Sequence, residues 1–498
     1  MKNNTPSRKK AFLTQATGGY ILTAIAMIKG LFLLPIYFKF ISYELYGYWV
    51  TIGSIVALLS ILNFGISTMT MQRISKSYAE KDFEKVGNYF INSLLISFLI
   101  AIVFLGVGFL LSYLLQDLLT IADDKLQIVR ISFFLALFTV MFSFFSDAFR
   151  GLAVALLKPL FGLQVMVGAN LVGIGLVLLL FYNNFGLLAL PISLLATEFI
   201  IVLFCGIYVL FLYKQFDIKS KINITILKEY FTFSPHLFKL VLGNKILENS
   251  HPILITSFLG TEITTAYDVT RKMIDIVLTI LNHLNSALLA PFSHLVGEKD
   301  TTLIKETTIK IIMLSFLIGF IGYGTYIVTN GLFVSLWVGK DMVLSQNIII
   351  LLGLSAFMFS MNRLFRSLLF GFDELKFATN SVLAEALAYV IISLIFIDLF
   401  GIITIPFVFL IVSGFFALKL LNKVTTISNV MFSCKQIIRY TVMAIVILGI
   451  IIILQSILND ISWKTFILKV IITILGIVMI EVLFSYRYFI KIGAIPWK

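Results

Sequence analysis

The chain has 498 residues, of which 60% are hydrophobic and 13% charged, with a mean hydropathy of +1.04 and a formal net charge of +13. So small a share of polar side chain cannot coat a soluble globule, which excludes a water-soluble enzyme and makes lipid the expected solvent. The positive balance calls for a cause, and nucleic acid is only one of several.

A bilayer core about 30 Å thick takes about 20 apolar residues per helix, so this length holds about fourteen spans if the loops are short. The apolar runs predict spans at 15–38, 46–68, 89–115, 128–149, 160–182, 186–213, 235–258, 265–292, 309–332, 346–370, 377–399, 402–422, 438–458 and 465–486. Blocks such as Thr441–Leu458 lack the period-2 alternation of a membrane β-strand. A helix satisfies its own backbone hydrogen bonds in lipid, so the expected fold class is an all-α polytopic membrane protein. The opening MKNNTPSRKK resembles a signal-peptide n-region, but no small-residue cleavage site follows, and it reads as a retained tail.

With that tail in the cytoplasm, the Lys and Arg assigned to the two sides of the membrane divide 27 to 6 in favour of the cytoplasmic side. Both termini are then cytoplasmic, the expected location is a bacterial inner membrane, and topology accounts for the net charge without nucleic acid. Cys205 falls in a span and Cys434 in a cytoplasmic loop, so no disulfide is expected. His236, His251, His283 and His294 show no metal-ligand spacing, and no cofactor is expected.

Several features recur after 216 to 218 residues: Lys29 and Lys245, Pro35 and Pro252, Glu44 and Glu262, Glu80-Lys81-Asp82 and Glu298-Lys299-Asp300, Arg150 and Arg366, Lys158 and Lys376. A repeat of that length holds six spans, an even number, so both copies enter the membrane in the same direction. The expected organisation is a six-helix lobe at 1–213, a cytoplasmic linker at 214–230, a second six-helix lobe at 231–425, and two additional helices with a tail at 436–498.

Two six-helix lobes, an early Lys29-x5-Pro35, the loop Glu44-Leu-Tyr46-Gly47-Tyr-Trp49 and a short basic second cytoplasmic loop together resemble the polysaccharide transporters of the multidrug/oligosaccharidyl-lipid/polysaccharide exporter superfamily. The resemblance covers essentially the whole chain, on soft motifs of Pro, Gly and aromatic residues. It implies a flippase for polyprenyl-pyrophosphate-linked oligosaccharide, such as an undecaprenyl-linked O-antigen (lipopolysaccharide) or capsule repeat unit. The glycan headgroup would pass through a central cleft by alternating access while the lipid tail stays in the membrane. Expected partners are that lipid-linked oligosaccharide and membrane lipids, with a polysaccharide polymerase and a chain-length regulator as candidate protein partners. Cation-coupled multidrug antiporters and lipid II flippases of the same superfamily are the neighbouring alternatives.

An ionisable side chain at mid-bilayer costs at least about 2.5 to 3.5 kcal/mol and is normally buried in a bundle or a wet cavity. Lys29, Lys245, Arg271 and Lys272 fall in the middle to outer half of their spans and make a candidate basin for an anionic headgroup, because charge-assisted hydrogen bonds to phosphate are the strong ones. Each has a competing reading. Lys29 can snorkel to the headgroups, Lys245 can pair with Glu248 at i, i+3, and Arg271 and Lys272 can be neutralised by Asp268 and Asp275 on the same helix. Glu248, Asp268, Asp275, Glu198 and Glu385 are candidates for H+ or Na+ coupling or gating, and equally for helix packing, whereas Asp147 is expected to pair with Arg150. Asn63, Asn282, His283 and Asn285 are candidates for sugar contacts, with interhelical hydrogen bonding as the plainer role. A membrane polysaccharide polymerase or glycosyltransferase is the alternative of a different class. No phosphate loop, DxD pair or nucleophile setting supports it.

Overall fold

The computed structural model describes residues 8–63, 66–231, 235–430 and 460–492, together with Gly449. These residues form fifteen α-helices and no strand. The helices are α1 Arg8–Tyr37, α2 Tyr43–Leu59, α3 Ile66–Ala79, α4 Phe83–Leu119, α5 Asp123–Ala155, α6 Leu160–Tyr182, α7 Ala189–Phe216, α8 Ile224–Phe231, α9 Pro235–Leu259, α10 Thr261–Glu298, α11 Thr301–Trp337, α12 Gln346–Gly371, α13 Leu375–Phe400, α14 Thr404–Ile427 and α15 Trp463–Ile492. Ten stretches are long and apolar enough to cross a membrane, and one of them, Leu375–Ile427, contains both α13 and α14. Helices α9 and α10 lie outside those stretches. At 25 and 38 residues they have spanning length at about 1.5 Å per residue, and they hold most of the charged candidates.

Two elements differ from the sequence expectation. The span expected at 46–68 is interrupted: α2 ends at Leu59, a 3-10 turn runs over Ser60–Asn63, and a separate helix α3 begins at Ile66. The linker expected at 214–230 contains α8, a helix of eight residues. The span expected at 438–458, and Cys434, lie outside the described residues except for Gly449.

Packing divides the chain into two compact units, Met1–Thr264 and Thr265–Lys498. In the first, α1 packs on α6, α2 on α5 and α9, α3 on α4 and α5, and α7 on α5 and α6. In the second, α12 packs on α11 and α14, α13 on α14, and α15 on α11. By packing, α9 therefore belongs with the first unit, although the sequence repeat groups it with the second half.

The repeated tripeptide has a structural reason in each unit. Lys81 and Lys299 both adopt left-handed backbone, at φ 59° and 60°. The aspartate that follows each of them caps a helix: Asp82 accepts from the Lys85 N–H at 2.9 Å at the start of α4, and Asp300 from the Leu303 N–H at 3.0 Å at the start of α11. That N–H holds the Asp82 carboxyl below its ordinary value.

Helices α2 and α9 are fastened by hydroxyls. Thr256 Oγ1 lies 2.5 Å from Thr51 Oγ1 and 2.7 Å from Thr264 Oγ1, all three buried. Gly47 is required here, because a Cβ at that position would stand 2.1 Å from the Thr261 carbonyl oxygen. Next to it on α2, Glu44 forms an ion pair with Lys125 of α5.

Candidate functional site

In the first unit the two expected headgroup cations are single charges. Lys29 is half-buried on α1, a helix with no acidic residue. Its side chain makes no hydrogen bond or ion pair among the described residues. Lys245 is half-buried on α9 and forms no ion pair with Glu248 one turn later. Only its backbone carbonyl is engaged, by the Asn249 side-chain amide at 2.9 Å. A cation kept among apolar helices without a counter-ion is costly.

Arg271 and Lys272 on α10, in the second unit, are different. Lys272 Nζ lies 2.8 Å from Asp268 Oδ2 and 2.9 Å from Asp268 Oδ1, and Arg271 Nη2 lies 3.5 Å from Asp275 Oδ1. Each cation thus meets a carboxylate four residues away, the spacing that puts two side chains on one helix face. The Arg271 guanidinium also stands over the Tyr267 ring, 5.8 Å from its centroid. Tyr326 of α11 and Tyr389 of α13, both fully buried, are close enough to interact electrostatically with Arg271. Arg271 has the longer carboxylate contact, and its side chain also hydrogen-bonds Tyr267.

The candidate coupling carboxylates differ in how firmly they are held. Glu385 of α13 is tied. Its Oε2 pairs with Arg366 of α12, while Oε1 accepts from Asn362 Nδ2 at 2.9 Å and Ser413 Oγ at 2.7 Å. Arg366 Nε in turn donates to Ser381 Oγ at 3.2 Å. Side-chain exposure is 3% for Arg366 and 0% for Glu385. Arg366 is thus a core residue. Its partner lies on another helix, where one-helix spacing cannot point.

Glu198 of α7 is less constrained, accepting from Ser146 Oγ at 3.1 Å. The nearby Arg150 pairs with Asp147, as expected from sequence, and sends Nη1 toward Met166 Sδ at 3.0 Å. Glu248 on α9 is half-buried. Of the sugar-contact candidates, Asn63 is half-buried in the turn after α2. On α10, Asn282 is half-buried, His283 exposed, and Asn285 buried with an unpartnered Oδ1. Among the described residues no group of His, Cys, Asp and Glu is arranged to hold a metal ion.

Comparison with known proteins fixes the family. Residues 16–296, more than half of the chain, match the family model Polysacc_synt, described as "Polysaccharide biosynthesis protein". No curated protein matches the chain at a significant level. Among solved structures, the chain is similar to one described as "Lipid II flippase MurJ, inward closed conformation", with a TM-score of 0.73 and 14% identity over 96% of this chain and 100% of that one. It is also similar to an inward-facing multidrug resistance MATE family transporter of the MOP superfamily, with a TM-score of 0.66 and 13% identity over 85% of this chain and 100% of that one. A MOP superfamily transporter from Pyrococcus furiosus follows at a TM-score of 0.56 and 14% identity, covering 86% of this chain and 98% of that one. At these identities the likeness is one of fold: an all-α transporter architecture spanning nearly the whole chain. The family match and the helical fold agree with the resemblance carried by the sequence motifs, and the chain belongs to the polysaccharide biosynthesis protein family.

Proposed function

We propose that the chain is a flippase that moves polyprenyl-pyrophosphate-linked oligosaccharide, an O-antigen or capsule precursor, from the cytoplasmic to the outer leaflet by alternating access. The observation that carries the reading is Lys29, a half-buried cation in a span without a counter-ion. Lys245 is a second cation of the same kind, and Arg271 a third whose carboxylate contact is long, at 3.5 Å. A pyrophosphate brings about two negative charges and meets lysine and arginine through charge-assisted hydrogen bonds. A site for cationic drugs wants the reverse, an unpaired carboxylate on the path.

In this reading the protein sits in a bacterial inner membrane with both termini cytoplasmic, and a polymerase and a chain-length regulator receive its product. Glu198 is the best placed of the carboxylates for H+ or Na+ coupling, because Glu385 is already neutralised inside the protein.

The test is reconstitution in vesicles with fluorescent polyprenyl-pyrophosphate-linked oligosaccharide. Lys29→Ala is expected to lower the flipping rate roughly tenfold at unchanged protein level, the loss of one charge-assisted hydrogen bond of about 1.5 kcal/mol or more. Undiminished flipping by Lys29→Ala, Lys245→Ala and Arg271→Ala alike sinks the anion reading. Absent glycolipid flipping together with cationic dye efflux makes the protein a drug antiporter.

A further inference from the structure

The segment that joins α7 to α8 is built like a plate bolted down on one side. Asn88 Oδ1 of α4 accepts from the Lys221 N–H at 2.6 Å, Asn92 Nδ2 donates to the Lys221 carbonyl at 3.2 Å, and Asn92 Oδ1 accepts from the Asn223 N–H at 3.0 Å. A Cβ at Gly87 would stand 2.1 Å from the Lys219 carbonyl oxygen, so the segment lies directly on the α4 backbone. Further on, Glu229 of α8 pairs with Arg73 of α3 and accepts from the Tyr89 hydroxyl at 3.2 Å. The buried Tyr230 lies hydroxyl to hydroxyl with Thr70, at 2.8 Å.

The other side of the plate is bare. Ile222 and Ile224 are 63% and 70% exposed, more than any other large apolar side chain outside the apolar spanning stretches among the described residues. Around them Lys214, Lys219, Lys221 and Lys228 are all exposed. The acidic groups nearby offset this only in part: Glu84 stands 3.8 Å from Lys221 with both side chains mostly in the open, Asp217 is exposed, and Glu229 is engaged by Arg73.

We propose that residues 214–228 are a docking site for anionic phospholipid headgroups, with the lysines on the phosphates and Ile222 and Ile224 inserted at the level of the upper acyl chains. Aliphatic side chains alternating with lysine suit a bilayer interface, whereas protein interfaces are depleted in lysine. The bilayer is also within reach. Apolar helix α7 ends at Phe216, and the six residues to Ile222 extend at most about 20 Å. The inference does not depend on which cargo is flipped.

The experiment uses the full chain. Detergent-solubilised protein is titrated with phosphatidylglycerol or phosphatidylcholine and the bound lipids are read by native mass spectrometry. Replacing Lys219, Lys221 and Lys228 together by Gln is expected to weaken phosphatidylglycerol binding about fivefold per lysine, and to leave phosphatidylcholine binding unchanged. Equal phosphatidylglycerol binding by wild type and variant overturns the proposal. A second reading guards against a lipid bound elsewhere, with spin labels placed at 222 and 224 after replacing Cys205 and Cys434 by Ala. In phosphatidylglycerol vesicles these labels are expected to be open to oxygen and shielded from a water-soluble nickel complex. Labels that stay water-exposed overturn it, as does shielding that occurs only in a dimeric species, which assigns the face to a second copy of the chain.

Discussion

Two arginines 216 residues apart teach how differently one repeated position is used. Arg150 on α5 and Arg366 on α12 both have a carboxylate partner, and in both cases the residue four positions earlier, Ser146 or Asn362, donates to a glutamate from another helix. In the first unit one guanidinium stands among two carboxylates, Asp147 and Glu198, and the Arg150 and Asp147 side chains are 28% and 38% exposed. In the second, Glu385 collects Arg366, Asn362 and Ser413 and is sealed from the surroundings. The position after Asn362 is Arg363, where the first unit has Asp147. The first cluster has a carboxylate to spare, and the second has none. The second cluster holds three helices together, whereas the first leaves Glu198 with the Ser146 hydroxyl as its hydrogen-bond partner.

That contrast can be broken most severely at Glu385. Glu385→Ala leaves Arg366 charged and unpaired in the interior, which is expected to cost about 3–5 kcal/mol, read as collapse of the monodisperse peak in fluorescence-detected size exclusion. Replacing the pair together, with Arg366→Met and Glu385→Leu, is expected to recover most of that loss, since apolar residues of similar volume replace a buried pair at little cost. Failure of the double variant to recover would assign Arg366 a role beyond packing. At the repeat-related site, Glu198→Gln keeps a hydrogen-bonding partner for Ser146, so its thermal stability is expected to change by less than about 1 kcal/mol. Its flipping rate, by contrast, is expected to lose its dependence on the proton or sodium gradient; an unchanged gradient dependence removes Glu198 from coupling. The smallest effect belongs to the part-exposed latch between α3 and α8, where Arg73→Ala is expected to cost about 0.2–1 kcal/mol, measurable as faster hydrogen exchange in α8. Unaltered exchange would mean that Tyr89 and Tyr230 hold that helix without the ion pair.

What the sequence makes legible follows range. Long apolar runs announce the helices because each one satisfies itself. The i, i+4 pairs of Asp268 with Lys272 and Arg271 with Asp275 can be read off one helix, and so can the Asp147–Arg150 pair. The Glu-Lys-Asp recurrence proves to be a turn-and-cap unit with its own φ requirement. Arg366 with Glu385 is invisible to such rules, because 19 residues and a change of helix lie between them. Helix α8 is hidden because its apolar face is short and set in a polar stretch, and it is held by Thr70, Arg73 and Tyr89 from remote parts of the chain. The break between α2 and α3 did leave a trace in the sequence, the polar Asn63 and the helix-breaking residue type at Gly65 within an otherwise apolar run.

The missing side chain at Gly47 has a mechanical meaning. With the α2 backbone against the Thr261 carbonyl, and the Thr51–Thr256–Thr264 hydroxyls clasped behind it, α2 and α9 cannot slide past each other without tearing a buried polar seam. They travel as one rigid girder. Any movement that leaves this seam intact carries Lys245 and Glu44 together.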